Sequence, residues 1–580
     1  MKASRAVVLV ALSLAPWLGA RAQVVLERAL VREKQDCDGD TISTIVIRSH
    51  RPAHSGRVAA TQRIASGWLR LSQTTTRPQV IAAYMRLVSG TICSEIDRSE
   101  SERILRAQPF IASATINTVT EGPQRVRLEV DVVDEQRLVI GAGTRHGTVS
   151  SLILGTENLS GRGASLAFWA TRGFAYRDGV GFRGVKYGMF GRPDFLAITA
   201  ERRAVIGEHL EIELAEPFLT DRQSRGYHVR SGLSSGYTRL VRPVGDPVSV
   251  FVRRTSYDLS TVTRFGQPSG RNAVGLLGAA LIGEDVRTGP ELVVVADTGL
   301  VRQVVNPFAG SYPGFTTTRL AAIAGVRALR YITVSAFDAI SAEQDMGIGV
   351  QLDVLAGPSL QSSGGAADFF MASDFYAGLG NERTFFAARG LLEGRREHRA
   401  QRWKGMVSNV RFDGYHRSTV KSTSKLSIEY SGTRALAFPL QLTLRDPESG
   451  LPGYGKATMA GGHRLIGRFD ERLYLTTIRG RVELAAGAFA SAGRLWAGDA
   501  PYGATTGMLG AAGLSLTAAF PEGSKRSYRL DVAFPFDPAR AETRVEVRLV
   551  SSDRTRRLWA EPSDLNRART GAAPVTLMKW

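Results

Sequence analysis

The chain has 580 residues, two cysteines and a formal net charge of +20. Two cysteines supply neither a disulfide scaffold nor a four-ligand zinc site, and leucine, valine, phenylalanine and tyrosine spread along the whole length exclude wholesale disorder. The 61 glycines, more than a tenth of the residues, suit sheets, bends and turns better than helix bundles.

At the front, Lys2 and Arg5 precede an apolar run, Ala6 to Leu18, that ends in Ala20-Arg21-Ala22, the small-x-small pattern of a secretory cleavage site. Residues 1–22 are therefore expected to be a signal peptide, with the mature chain starting near Gln23. Loss of Lys2, Arg5 and Arg21 lowers the charge from +20 to +17. A single-span anchor is the alternative, but the run is short and broken by Pro16. No later window approaches the ~18 uninterrupted apolar residues of a membrane helix. Any further membrane crossing must then use a β-barrel, the other structure that satisfies its backbone within lipid.

From about Asp38 to Asp134 the pattern is mixed. Ile42, Ile45 and Ile47 predict a short strand, and Arg63–Leu71 and Pro78–Val88 carry apolar residues at helical spacing. Asp97-Arg98-Ser99-Glu100 opens a further helix with Ile104, Leu105 and Phe110 on its buried side. Ile111–Val119 and Val126–Val133 read as paired strands turned at Glu121-Gly122-Pro123. This is a small α/β module over residues 38–135.

Period-two alternation then dominates residues 136–551. Leu210, Ile212 and Leu214 alternate with Glu211 and Glu213, Leu426, Ile428 and Tyr430 with Ser427 and Glu429, and Leu440, Leu442 and Leu444 with Gln441 and Thr443. Near the end, Tyr528, Leu530, Val532, Phe534 and Phe536 oppose Ser527, Arg529, Asp531 and Ala533, while Val545, Val547 and Leu549 oppose Arg544, Glu546 and Arg548. A soluble sandwich also alternates. The secretory signal and the persistence of the pattern over about 400 positions favour a membrane barrel.

The order strand, helices, strand, strand resembles the polypeptide-transport-associated (POTRA) domain of the BamA and TamA superfamily of outer-membrane barrels. Gly90-Thr91-Ile92-Cys93, Ser101 to Arg106 and Pro109-Phe110-Ile111 are similar to that domain's second helix and the strand after it. Asn158-Leu159-Ser160-Gly161-Arg162-Gly163 resembles the family's turn at the start of the barrel, and Glu216-Pro217-Phe218-Leu219 its strand-ending step. Leu451-Pro452-Gly453-Tyr454, then Gly461-Gly462 and Glu471-Arg472-Leu473, are similar to the inward-folded sixth extracellular loop and the following strand. Phe489 to Gly493 matches the strand after that one, and Gly513 to Phe520, Leu530 to Phe536 and Thr543 to Val550 are similar to the closing strands.

The resemblance implies an all-β transmembrane barrel of about 16 antiparallel strands behind a periplasmic POTRA-like domain. It implies a non-enzymatic protein that assists insertion or translocation of polypeptides at the bacterial outer membrane. Its partners would be outer-membrane lipid and lipopolysaccharide, unfolded client polypeptides, and periplasmic chaperones or lipoproteins. A laterally openable seam would lie between a first strand containing Leu138, Gly141 and Gly143 and a last strand containing Val545, Val547 and Leu549. In the family the loop motif carries an arginine that pairs with acidic groups on neighbouring strands. Here Pro452 stands at the arginine position and Ser491 at the usual aspartate position, a coherent joint loss because an unpaired charge inside a barrel is costly. The loop is then expected to be held by Tyr454 packing, or by Arg464 or Arg468 reaching Glu471; a loose outer loop is the alternative. Other functions left open are a passive or solute-selective pore with a vestigial periplasmic domain, and an envelope anchoring scaffold. Residues 552–580 are expected to be a basic tail, or a closing strand that ends in Trp580.

Cys37 and Cys93 fall in or just before one small domain of an oxidising compartment, which makes a disulfide the expected state, with two separate buried thiols as the alternative. No metal, cofactor or catalytic set is expected. Gly232-Leu233-Ser234-Ser235-Gly236 and Gly179-Val180-Gly181-Phe182-Arg183-Gly184 match a hydrolase and a dinucleotide pattern only by letters, without the helix that each chemistry needs. Asp36, Asp38 and Asp40 lack the glycine position and closing glutamate of a calcium loop. The basic residues form no compact patch with aromatic neighbours, which argues against nucleic acid. The positive excess fits a solvated surface, anionic headgroups or a basic lumen.

Overall fold

The computed structural model describes residues 36–51, 74–135, 137–145, 148–171, 179–203, 207–266, 273–295, 301–363, 367–445, 450–553 and 563–569. The expected signal peptide at 1–22, the helical spacing of Arg63–Leu71 and the chain end from 570 to Trp580 lie outside these residues.

The front module contains β1 (Thr41–His50), α1 (Pro78–Ala82), α2 (Glu95–Arg106), β2 (Ile111–Gly122) and β3 (Arg125–Asp134). Its sheet order is β1-β3-β2, with β1 parallel and β2 antiparallel to β3. Alternation in the central strand buries Val126, Leu128, Val130 and Val132 in a core shared with Ile104 and Leu105 of α2. α1 stops well before Val88: Tyr84 and Met85 bond back three residues, to Ile81 and Ala82, tightening the chain out of the helix. α2 begins two residues ahead of Asp97. Asp38 accepts the Glu95 N–H at 2.6 Å and supplies the helix-start acceptor that Ser94 does not. Cys37 and Cys93 are joined by a disulfide with Cα atoms 5.7 Å apart.

The barrel begins with β4 (Leu138–Arg145), β5 (Thr148–Thr156), β6 (Ala164–Thr171), β7 (Gly179–Tyr187), β8 (Phe195–Arg203), β9 (Gly207–Glu216) and β10 (Arg225–Leu240). It continues with β11 (Val248–Phe265), β12 (Val274–Val295), β13 (Val301–Val304), β14 (Phe315–Ser335), β15 (Glu343–Ser363), β16 (Asp368–Gly380), β17 (Thr384–Glu397), β18 (Trp403–His416) and β19 (Ser422–Arg434). An inner loop holds the two-residue strands β20 (Leu442–Thr443) and β21 (Ala460–Gly461), which pair only with each other. The wall resumes with β22 (His463–Ile478), β23 (Val482–Trp496), β24 (Leu509–Ala519) and β25 (Arg526–Pro535), followed by α3 (Pro538–Ala541) and β26 (Glu546–Asp553).

Neighbouring wall strands are antiparallel, and the ring order brings β26 back beside β4. Residue register runs from β4–β5 to β25–β26, with β14 pairing β12 directly and the short β13 pairing the last four residues of β12. Among the described residues the ring holds twenty-one strands, one of them the four-residue β13, rather than about 16. Part of the difference arises at the front, where β4 to β9 have only eight to ten residues each and six strands fit into 138–216. The alternating stretch Leu440–Leu444 is not a wall strand; it lies in the inner loop, and Leu440, Leu442 and Leu444 are all buried. The described part of 552–580 beyond β26 is neither a closing strand nor a free tail but a helix, α4 (Ser563–Ala568).

Alternation sorts the wall. Leu514, Leu516, Leu530, Phe534, Val547 and Leu549 are exposed outward, while Ala511, Thr517, Asp531 and Ala533 are buried inward. An apolar exterior around a filled interior is what lipid demands of a barrel. No described helix is long and apolar enough to cross a membrane. The wall is uneven: β4 and β26 have eight residues, whereas β12 has 22 and β14 and β15 have 21. At about 3.4 Å per residue and a tilt near 40°, eight residues rise only about 20 Å. The side where chain start and chain end meet is therefore the low side.

Candidate functional site

The module is clamped to the barrel mouth through the turn after β5. Asn158 donates to Thr76 Oγ1 at 2.6 Å and accepts the Gly163 N–H at 2.8 Å. Thr76 binds the Asp134 carboxylate through its N–H at 3.0 Å and its hydroxyl at 2.6 Å, and Arg137 donates to the same group at 2.9 Å. Gly161 has φ +68°, and a Cβ there would lie 2.2 Å from the Thr75 carbonyl oxygen, so glycine alone fits.

Across the mouth, the basic end of α2 meets the far wall. Arg106 forks onto Asp345 at 2.6 and 3.0 Å. Arg103 lies 4.0 Å over the Tyr331 ring and donates to the Leu219 carbonyl at 2.5 Å. Burial alone would raise the Glu100 carboxyl, but the adjacent Arg103 outweighs it and holds the group below its usual range. Phe218 is fully buried, and its carbonyl accepts from Arg327 at 3.0 Å. The step Glu216–Leu219 thus folds inward as a landing surface for α2.

Lys525, in the turn between β24 and β25, donates its ammonium to the Arg106 carbonyl, and burial drags its pKa down to about 8 against an attraction from Asp345. Below pH 8 the amine is charged whether or not it is buried, so docking carries the full desolvation penalty. Between about 8 and the ordinary 10.5 only the free form holds the proton, and docking strengthens as pH rises, by at most ~1.4 kcal/mol per unit. Hydrogen exchange of α2 should therefore slow from pH 8 to 10, after correction for intrinsic exchange rates. Lys525→Met should abolish that extra slowing; an unchanged pH response would refute the assignment.

The inner loop, 435–462, is seated on the last strands. Leu451, Pro452, Gly453 and Tyr454 are all buried. Tyr454 packs with Leu444, Leu451, Leu495 and Leu509; its hydroxyl donates to the Gly510 carbonyl at 3.2 Å and accepts the Asp537 N–H at 3.3 Å. Gly453 has φ +90° and faces Ala511 and Pro535 closely enough that a Cβ would lie 3.3 Å from each. The Gly455 N–H donates to Glu546 on β26 at 3.0 Å. The loop tip therefore braces the last strand directly. Tyr454→Phe keeps the packing and removes both hydroxyl bonds, an expected loss of about 1–2 kcal/mol. The measurement is the urea midpoint of the folded barrel, which should fall without a change of slope.

Arginine and aspartate are absent from the motif positions, and the lumen charges are matched elsewhere. Ser491 faces inward and donates to the Ala511 carbonyl at 3.3 Å. Arg468, paired in register with Ser491, stacks 4.1 Å from the Phe489 ring and binds Asp470 at 2.6 Å. Asp531 on β25 gathers Arg529 at 3.0 Å, Arg548 at 3.5 Å and Arg468 at 3.6 Å. Glu471 takes no part in holding the loop: it sits on the other face of β22 and accepts from Ser422 and Ser424 of β19. Arg464 does not reach it either, but binds Asp564 at 2.8 Å. Period-two counting already separates Glu471 from Arg464 and Arg468, because odd and even positions of one strand face opposite ways.

At the seam, Leu138, Gly141 and Gly143 of β4 pair in register with Thr156, Ile153 and Ser151 of β5. Val545, Val547 and Leu549 point outward and are exposed. Gly232–Gly236 lies inside β10 and Gly179–Gly184 inside β7, so neither has the turn before a helix that its letters suggest. No metal-holding group of histidine, cysteine and acidic residues occurs among the described residues.

No protein-family model matches this chain, and no curated protein does. Among solved structures it is similar to BamA from Haemophilus ducreyi lacking POTRA domains 1–3, with 10% identity, 88% of this chain and 84% of that one covered, and a TM-score of 0.37. CdiB from Escherichia coli gives 12% identity, coverage of 92% and 94%, and a TM-score of 0.38. The FrpB iron transporter from Neisseria meningitidis gives 10%, 74% and 84%, with a TM-score of 0.34.

Proposed function

We propose that this chain is a non-enzymatic outer-membrane barrel of the BamA and TamA superfamily that assists insertion or translocation of polypeptides, with residues 38–135 as a periplasmic POTRA-like domain. The observation that carries the reading is the low seam: two eight-residue strands, β4 and β26, are neighbours in the ring, and the inner loop braces β26 through Gly455 and Glu546. A short wall thins the adjoining bilayer and exposes few ladder bonds to break, the two conditions that ease entry of a client strand. Below the mouth, β2 is an edge of the module's sheet and offers backbone groups to an extended polypeptide. Clients are unfolded polypeptides; the surroundings are outer-membrane lipid and lipopolysaccharide.

The motif order in the sequence supports the same reading. A static pore has less support, because α2 stands at the mouth and α4 within the wall's interior contacts. The test is reconstitution in liposomes: a urea-unfolded client barrel should fold faster with this protein than without it. Client folding at the same rate in empty liposomes would overturn the reading.

A further inference from the structure

Helix α4 stands inside the barrel. The wall residues it meets, Arg254, Val286, Leu391, Val407 and Arg464, all occupy positions that alternate with exposed outward neighbours such as Phe251, Leu277, Leu392 and Val410. Leu565, fully buried, fills a socket made by three of these side chains and by Phe438, Leu440 and Leu442 of the inner loop. Asp564, 4% exposed, forks onto Arg464, 1% exposed, at 2.8 and 3.2 Å, and accepts the Thr443 N–H of the loop at 3.4 Å. At the other end Arg254 donates to the Arg567 carbonyl at 2.8 Å and to the Arg569 carbonyl, and Arg569 lies 3.4 Å from the buried Glu393. One short helix thus joins β11, β17 and β22, no two of them neighbours in the ring, and ties the inner loop to all of them.

We propose that α4 is a displaceable plug: residues 563–569 occlude the lumen and lock the inner loop, and their release opens a conducting path. The attachment is of a kind that can let go. Among the described residues of the plug, Leu565 and Ala568 bury apolar surface, the ion pairs largely offset their own desolvation, and leaving the socket breaks no wall ladder. Beside the helix, Asn566, Arg567 and Arg569 line a cavity of ≈ 610 Å³ shared with Arg183, Glu201 and Arg230, space that joins the rest of the lumen once the helix moves. In sequence the plug is the next described element after β26.

The test is single-channel conductance in planar bilayers. The intact chain should be mostly closed. Asp564→Arg and Arg464→Asp should each raise conductance severalfold, and the double reversal should return it toward the closed level, a recovery that general damage to the barrel does not produce. A chain ending at Asp553 should conduct openly and be reclosed by a synthetic peptide of residues 561–572 but not by the same peptide carrying Asp564→Asn. Equal conductance in the intact chain and both single variants would overturn the plug, as would single variants that stay open in the double. If the truncated chain does not fold, the full-length reversal set decides alone. Conductance needs no client protein, so its outcome is separable from that of the client-folding assay.

Discussion

Asp531→Ala should destabilise the barrel by about 3–5 kcal/mol, the usual cost of removing one partner from a buried ionic cluster. Asp531 is 1% exposed and faces three guanidinium groups, from Arg468 on β22, Arg529 on its own strand and Arg548 on β26. Without it Asp470 still pairs with Arg468 and Arg529, while Arg548 loses this carboxylate. The cluster reaches across β23 and β24, where the Phe489 ring that Arg468 stacks on occupies the space over Gly513. Strand β26 then loses an inner tie beside the seam, so both the urea midpoint and the retention of the folded form on heating before electrophoresis should fall. Asp531→Asn, which keeps shape and hydrogen-bond acceptor but not charge, should fall between the two. A midpoint equal to that of the unmodified chain would show that the three arginines find water or other partners.

The second large effect belongs to the module. Cys37 and Cys93 are 56 residues apart, and closing a loop of that length lowers unfolded-chain entropy by about 4 kcal/mol in the chain-entropy treatment. The bridge joins the lead-in of β1 to the segment before α2, next to the Asp38 cap at the helix start. Replacing both cysteines by serine should therefore expose α2 and β1 to proteolysis and faster hydrogen exchange while the barrel remains folded. Equal protection with and without the bridge would show that docking at the mouth, through Asn158, Arg106 and Lys525, suffices to hold the module.

Much of the wall was legible because a sheet between lipid and a packed interior must alternate, and period two is visible in any stretch of ten residues. Val545, Val547 and Leu549 point outward as their alternation requires. The order of the module's described elements was legible for the same local reason, apart from an early end to α1 and an early start to α2; the helix expected at Arg63–Leu71 lies outside the described residues. The strand number was not, since very short strands such as β4 and β6 carry too few alternations to be counted separately. Leu440–Leu444 alternates like a wall strand, yet the chain folds it inside, where all three leucines find apolar neighbours.

The candidate site divides in the same way. Asn158, Gly161, Phe218 and Tyr454 were marked by local motifs, and each makes the close contact that its residue type suits. The partners of those motifs were not marked. Asp531 with Arg468, Arg464 with Asp564, and Arg106 with Asp345 join residues 63, 100 and 239 positions apart. Nothing in local spacing encodes such pairs, because an ion pair needs only proximity, and proximity comes from ring closure and loop insertion. By itself the sequence determined strand periodicity, which is written in residues close together along the chain. Only the tertiary structure decided how lumen charge is balanced, where α2 lands and that α4 lies within the barrel. Those outcomes depend on surfaces that exist only once distant strands have met.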